Sequence, residues 1–176
     1  MSNAYLKRLF VLIPTLFLVT LLIYANIPDR PLADNIRADK IVVEKEKRKL
    51  SLLKNGAVLK SYRVALGRQP AGQKLKEGDN KTPEGNYIID YRNQHSNYHS
   101  ALHISYPNKS DAERAQKNGI NPGGDIMIHG LRGGFGWVGN LHRIADWTRG
   151  CIAVTNPEIE EISRAVPDGT PIEIYP

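Results

Sequence analysis

The chain has 176 residues, 41% of them hydrophobic, a formal net charge of +6 and one cysteine, Cys151. This length favours one domain with a sizeable core and excludes two ordinary domains once an N-terminal segment is set aside. A single cysteine also excludes an internal disulfide framework.

An uncharged apolar run occupies residues 9–27 and directly follows two cations, Lys7 and Arg8. Such a run is about long enough to cross ~30 Å of hydrocarbon, and the preceding positive charge orients the N-terminus toward the cytoplasm. We therefore interpret residues 1–27 as a signal anchor or signal peptide that engages the inner membrane. Residues 28–38 contain prolines and lack periodicity, so they are interpreted as a linker.

Residues 39–176 are accordingly predicted to form one domain of the cell envelope, periplasmic or otherwise extracytoplasmic, and either membrane-anchored or secreted. Its basic charge is local, because residues 40–81 carry twelve Lys or Arg against four acidic residues. Nucleic acid is not an expected partner, since Tyr62 is the only aromatic residue in that basic region.

The domain is predicted to begin as a β-meander over residues 40–67, with Asn55 and Gly56 supplying the tight turn. A turn at residues 82–85 leads into a strand at residues 86–91. Alternation of apolar and polar residues then predicts a half-buried strand. This strand and three further short strands are expected at residues 100–107, 124–131, 150–154 and 170–176.

Two short helices complete the prediction. The first covers residues 111–119, with Asp111 in its cap region, and the second covers residues 156–166, with Asn156 as N-cap and Pro157 at the first helical position. Strands follow one another without βα alternation, so we predict a mostly β, β-rich α+β fold with short helices rather than a doubly wound sheet.

One histidine and the cysteine stand at predicted strand ends. His129 ends the strand "DIMIHG", and Cys151 begins a strand directly after Gly150. If the two strands are neighbours, both side chains emerge at one sheet edge as a Cys/His dyad, in which the histidine is the base that a nucleophilic thiol needs. Gly150 has no Cβ, so the backbone N–H groups of Gly150 and Cys151 are expected to form an oxyanion hole.

Three segments sharpen this hypothesis: "GDNKTPEGNY", "DIMIHG" and "TRGCIAVTN", in that order after a β-hairpin start. Together they resemble the catalytic domain of the L,D-transpeptidase family, the YkuD-like domain, over residues 40–176. The family pattern is an HG turn, a variable loop, then Ser/Thr-x-Gly-Cys with Asn five residues beyond the cysteine. The matching residues are His129, Gly130, Thr148, Gly150, Cys151 and Asn156.

The resemblance implies an L,D-transpeptidase-type β-sandwich and an enzyme that acts on peptidoglycan stem peptides without a metal or other cofactor. Cys151 would be the acyl-accepting nucleophile and His129 the general base. The acyl group would pass to an amine of another stem peptide or of a cell-wall-linked lipoprotein, or to water. Thr148, Arg149 and Asn156 are the candidate substrate-binding residues.

Two positions depart from the commonest family pattern, which has histidine where this chain has Arg149 and arginine where it has Ala153. The sequences of these motifs are similar to those of the family branch that includes enzymes detaching lipoprotein from peptidoglycan. In that branch hydrolysis replaces transfer. Two alternatives therefore stay open beside the transferase: an L,D-carboxypeptidase or amidase with the same dyad, and a non-catalytic cell-wall-binding module. The roles of Asp146 and His142 are left unassigned.

Overall fold

The computed structural model describes residues 3–27 and 29–176. Residues 1–2 and 28, which belong to the predicted N-terminal segment and linker, lie outside this part of the chain. Helix α1 (Asn3–Ala25) comes first, and the Asn26 side chain that follows it donates to the carbonyl of Trp137 at 2.9 Å. Among the described residues, no helix is both long and apolar enough to cross a membrane, so the predicted span has no support from the structure.

The remaining elements are short and mostly strands, in agreement with the predicted order. Along most of the strands the buried residues alternate or run continuously, which is the pattern of a strand packed against a core. They are β1 (Lys40–Glu44), β2 (Lys49–Lys54), β3 (Ala57–Arg63), β4 (Gly85–Asn93), β5 (Ala101–Ile104), α2 (Lys109–Lys117), β6 (Met127–His129), a kinked 3₁₀ segment (Gly136–Ile144), β7 (Ile152–Ala153), α3 (Asn156–Ala165) and β8 (Pro171–Tyr175).

The eight strands form one curled sheet in the order β3-β2-β1-β8-β4-β5-β6-β7. Residues just after β3 return to β7, where the N–H and carbonyl groups of Ala65 and Ala153 exchange two hydrogen bonds of 3.0 and 2.8 Å. The two ends of the strand order therefore meet, and the enclosed face holds the apolar core. The predicted mostly β, β-rich α+β class with short helices is confirmed.

Both helix starts differ from the prediction by a few residues. Asn108, not Asp111, caps α2, and Asp111 occupies the third helical position and completes a capping box. In α3 the N-cap is Thr155 rather than Asn156, and the Glu158 carboxylate accepts from the backbone N–H of Thr155 at 2.8 Å. Asn156 therefore does not cap the helix, and its side chain makes a different contact at the candidate site.

The turn after the β-meander is held by one buried hydroxyl. Thr82 is fully buried, and its Oγ1 accepts from the N–H of Gly67 at 3.1 Å. Gly67 in turn forms a bridge with Thr148, three residues before the cysteine. This contact therefore ties the "NKTPEG" segment to the turn that carries Cys151.

Replacing Thr82 with valine should destabilise the protein by about 1–3 kcal/mol, because the shape is kept while the buried N–H of Gly67 loses its acceptor. Urea unfolding measures this free energy. The control is Thr82→Ser, which keeps the hydroxyl and should lie closer to wild type. Equal stability of the valine variant and wild type would contradict the assigned role.

Candidate active site

The strands that carry the predicted dyad are neighbours. β6 and β7 pair in parallel, with Ile128 opposite Ile152 and His129 opposite Ala153. Cys151 immediately precedes β7 and so lies beside Met127. Because side chains alternate along a strand and paired residues share a face, His129 and Cys151 project from the same face of adjacent strands.

The turn that presents Cys151 is set by close backbone packing. Gly150 has a φ of +135°, and a Cβ at this position would lie 2.6 Å from the carbonyl oxygen of Lys81. A left-handed backbone and this near contact both require glycine. The residue before the nucleophile is therefore glycine because two chain segments meet there.

The hydrogen bonds in this turn revise two predicted roles. The N–H of Gly150 already donates to Thr148 Oγ1 at 3.1 Å, and the Thr148 hydroxyl donates to the Cys151 carbonyl at 2.7 Å. Thr148 is buried, and both of these hydrogen bonds of its hydroxyl lie within the turn. In the described chain the N–H of Cys151 makes no hydrogen bond and is free to donate, whereas that of Gly150 is engaged.

His129 is held by the backbone of the next residue and by two aromatic side chains. Its Nδ1 lies 2.7 Å from the Gly130 carbonyl oxygen, and because a carbonyl only accepts, Nδ1 carries the proton and Nε2 is left as the basic nitrogen. The Tyr98 ring lies 4.6 Å away and the Trp147 ring 5.7 Å away, measured between centroids. The imidazole thus has a fixed tautomer and a largely apolar surround.

Burial sets the charge state of both groups. It raises the pKa of the half-buried Cys151 thiol, an effect that a backbone hydrogen bond from Met127 opposes. Burial also lowers the pKa of His129, against the hydrogen bond to Gly130. Both shifts favour the uncharged form, so the resting pair is a neutral thiol and a neutral imidazole at neutral pH. Cys151 Sγ does not bond to His129 but donates to the Asp125 carbonyl at 3.5 Å.

An open cleft of about 1860 Å³ contains both residues. Its border includes three arginines, Arg68, Arg132 and Arg149, none of which forms an ion pair within residues 3–27 and 29–176. Arg149 is exposed, so its placement agrees with the predicted contact to substrate. The other two arginines are far from the cysteine in sequence, and no local signal in the sequence marks them.

Asn156 and Asp146 are not among the residues that line the cleft. Asn156 accepts from the N–H of Leu131 at 2.8 Å through its side-chain oxygen, a contact that holds the loop after His129. Asp146 accepts from Leu66 N–H at 2.8 Å and pairs with Arg48 at 3.0 Å, so it does not orient a histidine.

His142 borders the same cleft next to the aromatic cluster. Its Nδ1 accepts from Trp147 Nε1 at 3.4 Å. Burial, together with the neighbouring Arg143 and His129, lowers the pKa of His142 to about 3. It is therefore uncharged at neutral pH and supports Trp147. Among the described residues, no group of three or more His, Cys, Asp or Glu side chains is placed to hold a metal ion.

Comparison with known proteins identifies the fold and the family. The family model of the L,D-transpeptidase catalytic domain, YkuD, matches residues 38–174, which is most of the chain. The chain belongs to this L,D-transpeptidase family. The residues that carried the resemblance all lie inside the matched range.

Individual relatives agree with this membership. YafK of Escherichia coli K12 is 34% identical over 133 residues, which cover 72% of this chain and 46% of YafK. The helical cell shape determining protein Pgp2 of Campylobacter jejuni is 26% identical, with a TM-score of 0.60 over 80% of this chain and 48% of Pgp2. An L,D-transpeptidase of Xylanimonas cellulosilytica shares the fold at 15% identity, with a TM-score of 0.52 over 84% of this chain and 65% of that one. The chain spans about half the length of the curated relatives it matches.

Gly150→Ala should destabilise the protein by more than ~2 kcal/mol, because the left-handed backbone is strained by a Cβ and that Cβ meets the Lys81 carbonyl. Gly169→Ala is the matched control, since Gly169 has a φ of +85° but open space around it. Thermal and urea unfolding compare the two variants. The steric argument fails if both lose the same stability.

Alkylation of Cys151 by iodoacetamide should report the neutral resting pair. Only the thiolate reacts, so a pKa above the ordinary value of 9.0 predicts a rate that climbs through the alkaline range with no plateau near neutral pH. His129→Gln should leave this profile nearly unchanged, since the pKa of His129 lies below its ordinary 6.5. An inflection near neutral pH that disappears in His129→Gln would instead indicate a thiolate–imidazolium pair.

Proposed function

We propose that the protein is a peptidoglycan-remodelling cysteine acyltransferase of the L,D-transpeptidase type, with Cys151 as nucleophile and His129 as general base. The observation that carries this proposal is their shared face on the paired strands β6 and β7, inside one cleft. Membership in the L,D-transpeptidase family supports this reaction class. The unpaired Arg68, Arg132 and Arg149 at the cleft border suit the carboxylates of a stem peptide.

In the acylation step, Nε2 of His129 takes the proton of the Cys151 thiol as sulfur attacks a stem-peptide carbonyl carbon. The N–H of Cys151 donates to the oxyanion that develops on the carbonyl oxygen. The C–N bond then breaks, the imidazolium gives its proton to the departing amine, and a thioester remains. A neutral starting pair suits this sequence because the base begins unprotonated.

In the second step an acceptor amine attacks the thioester, Nε2 of His129 takes a proton from its nitrogen, and the sulfur leaves and regains that proton. Water in place of the amine would give hydrolysis with the same residues. We propose that the reaction takes place in the cell envelope on peptidoglycan stem peptides. The amine of a cell-wall-linked lipoprotein belongs to the same chemical class of acceptor. The cell-shape role stated for Pgp2 suits a wall-remodelling enzyme of this kind.

Purified sacculi incubated with the protein test this function. Wild type should form new cross-links between stem peptides, whereas Cys151→Ala should form none, because the thioester cannot form. His129→Gln should lower the rate by about 10²- to 10⁴-fold, the usual contribution of a general base. Muropeptide separation with mass spectrometry counts the products.

His95→Gln is the control, because His95 is exposed and lies outside the cleft; its products should match wild type. Shortened or released stems without cross-links, dependent on Cys151, would replace the transferase by the hydrolase. Binding to sacculi with no Cys151-dependent product would overturn both and leave the wall-binding module.

A further inference from the structure

The cleft is unfavourable for a cationic group at most of its border. Besides the three unpaired arginines, its described border contains two carboxylates, Glu77 and Asp125. Glu77 accepts from the Asn121 side-chain amide at 2.7 Å, a contact that joins two loops. An ammonium group entering this cleft is repelled by the arginines and needs a carboxylate beside it.

Asp125 is the acidic residue of the cleft border whose backbone lies next to the thiol. Its own carbonyl oxygen lies 3.5 Å from Cys151 Sγ, and its negative charge is one of the influences that raise the pKa of that thiol. The residue is exposed, and in the described part of the chain its carboxylate forms neither an ion pair nor a hydrogen bond.

The backbone holds Asp125 in an uncommon conformation. Its φ is +53°, in the left-handed region, which Asp and Asn tolerate better than other side chains that carry a Cβ. The residue follows Gly123 and Gly124 and lies two residues before β6. It is one of the residues that line the cleft.

We propose that the Asp125 carboxylate binds the ammonium group of the amine that accepts the acyl group, and so favours transfer over hydrolysis. The inference rests on the proposed thioester chemistry and adds to it the residue that selects the acceptor. Its geometric basis is an exposed carboxylate that forms no ion pair or hydrogen bond in the described part of the chain, on a residue whose backbone carbonyl lies 3.5 Å from Sγ, in a cleft that three unpaired arginines also border.

The attack of the acceptor amine on the thioester conserves atoms and charge. The bound ammonium releases one proton to solvent and becomes the amine. The amine nitrogen attacks the thioester carbonyl and gives a second proton to His129 Nε2, while the acyl–sulfur bond breaks and the acyl–nitrogen bond forms. The imidazolium then returns that proton to the Cys151 thiolate. Asp125 holds the cation before deprotonation and takes no part in bond making.

The test compares Asp125→Asn with Glu77→Gln. Asparagine keeps both the shape and the tolerance of a left-handed φ, and the glutamine variant removes the same charge from the same cleft. A stem tetrapeptide serves as acyl donor, and the ratio of amine product to hydrolysis product is read by mass spectrometry, which is independent of how fast the thioester forms. Two acceptors are used: an alkylamine, which is an ammonium ion near neutral pH, and hydroxylamine, which is uncharged there.

Asp125→Asn should lower the alkylamine-to-water product ratio by about two- to fivefold, the range for an exposed ion pair, and should not lower the hydroxylamine ratio. Glu77→Gln should keep both ratios. Equal ratios for Asp125→Asn and wild type, or an equal fall with both acceptors, would overturn the proposal. Intact mass of the acyl-enzyme separates the two proposals: a thioester that partitions only to water overturns the role of Asp125 alone, and absence of any thioester overturns the proposed function with it.

Discussion

The position of Cys151 depends on a set of backbone hydrogen bonds between residues 65–68 and 148–153, here called the seam. Ala65 and Ala153 bond to each other twice, Thr148 N–H donates to the Leu66 carbonyl, and Arg68 N–H donates to the Thr148 carbonyl. The seam joins the two ends of the strand order and encloses the core. Cys151 lies inside it, so the same bonds that close the sheet aim the thiol into the cleft.

A second consequence of the seam is electrostatic. The turn around Cys151 is packed closely enough that burial favours the uncharged form of both the thiol and His129. Charge is concentrated at the cleft border instead, on Arg68, Arg149 and Asp125. The site therefore combines an uncharged Cys151–His129 pair with a charged border, and burial is the largest influence on the pKa of both members of the pair.

The parts of this arrangement that follow local rules were predictable from the sequence. Alternation and turn residues located the strands, and the condition set for the Cys/His dyad, that the two strands be neighbours, is met by the pairing of β6 and β7. Contacts between distant segments were not predictable, because nothing near Asp146 indicates Arg48 as its partner or Leu66 N–H as its donor. The same limit explains the engaged N–H of Gly150, since the Thr148 hydroxyl satisfies it only in the folded turn.

The two departures from the commonest family pattern, Arg149 and Ala153, differ in their exposure and in their position relative to the cleft. Ala153 is fully buried in β7, is bonded through its backbone to Ala65 and does not line the cleft. Arg149 is exposed at the cleft border on the other side of the cysteine in sequence. The usual family pattern has an arginine two residues after the cysteine. This chain has its arginine, Arg149, two residues before Cys151. The proposed contact to a stem-peptide carboxylate therefore falls on the Arg149 side, and the proposed contact to an ammonium group falls at Asp125, two residues before β6.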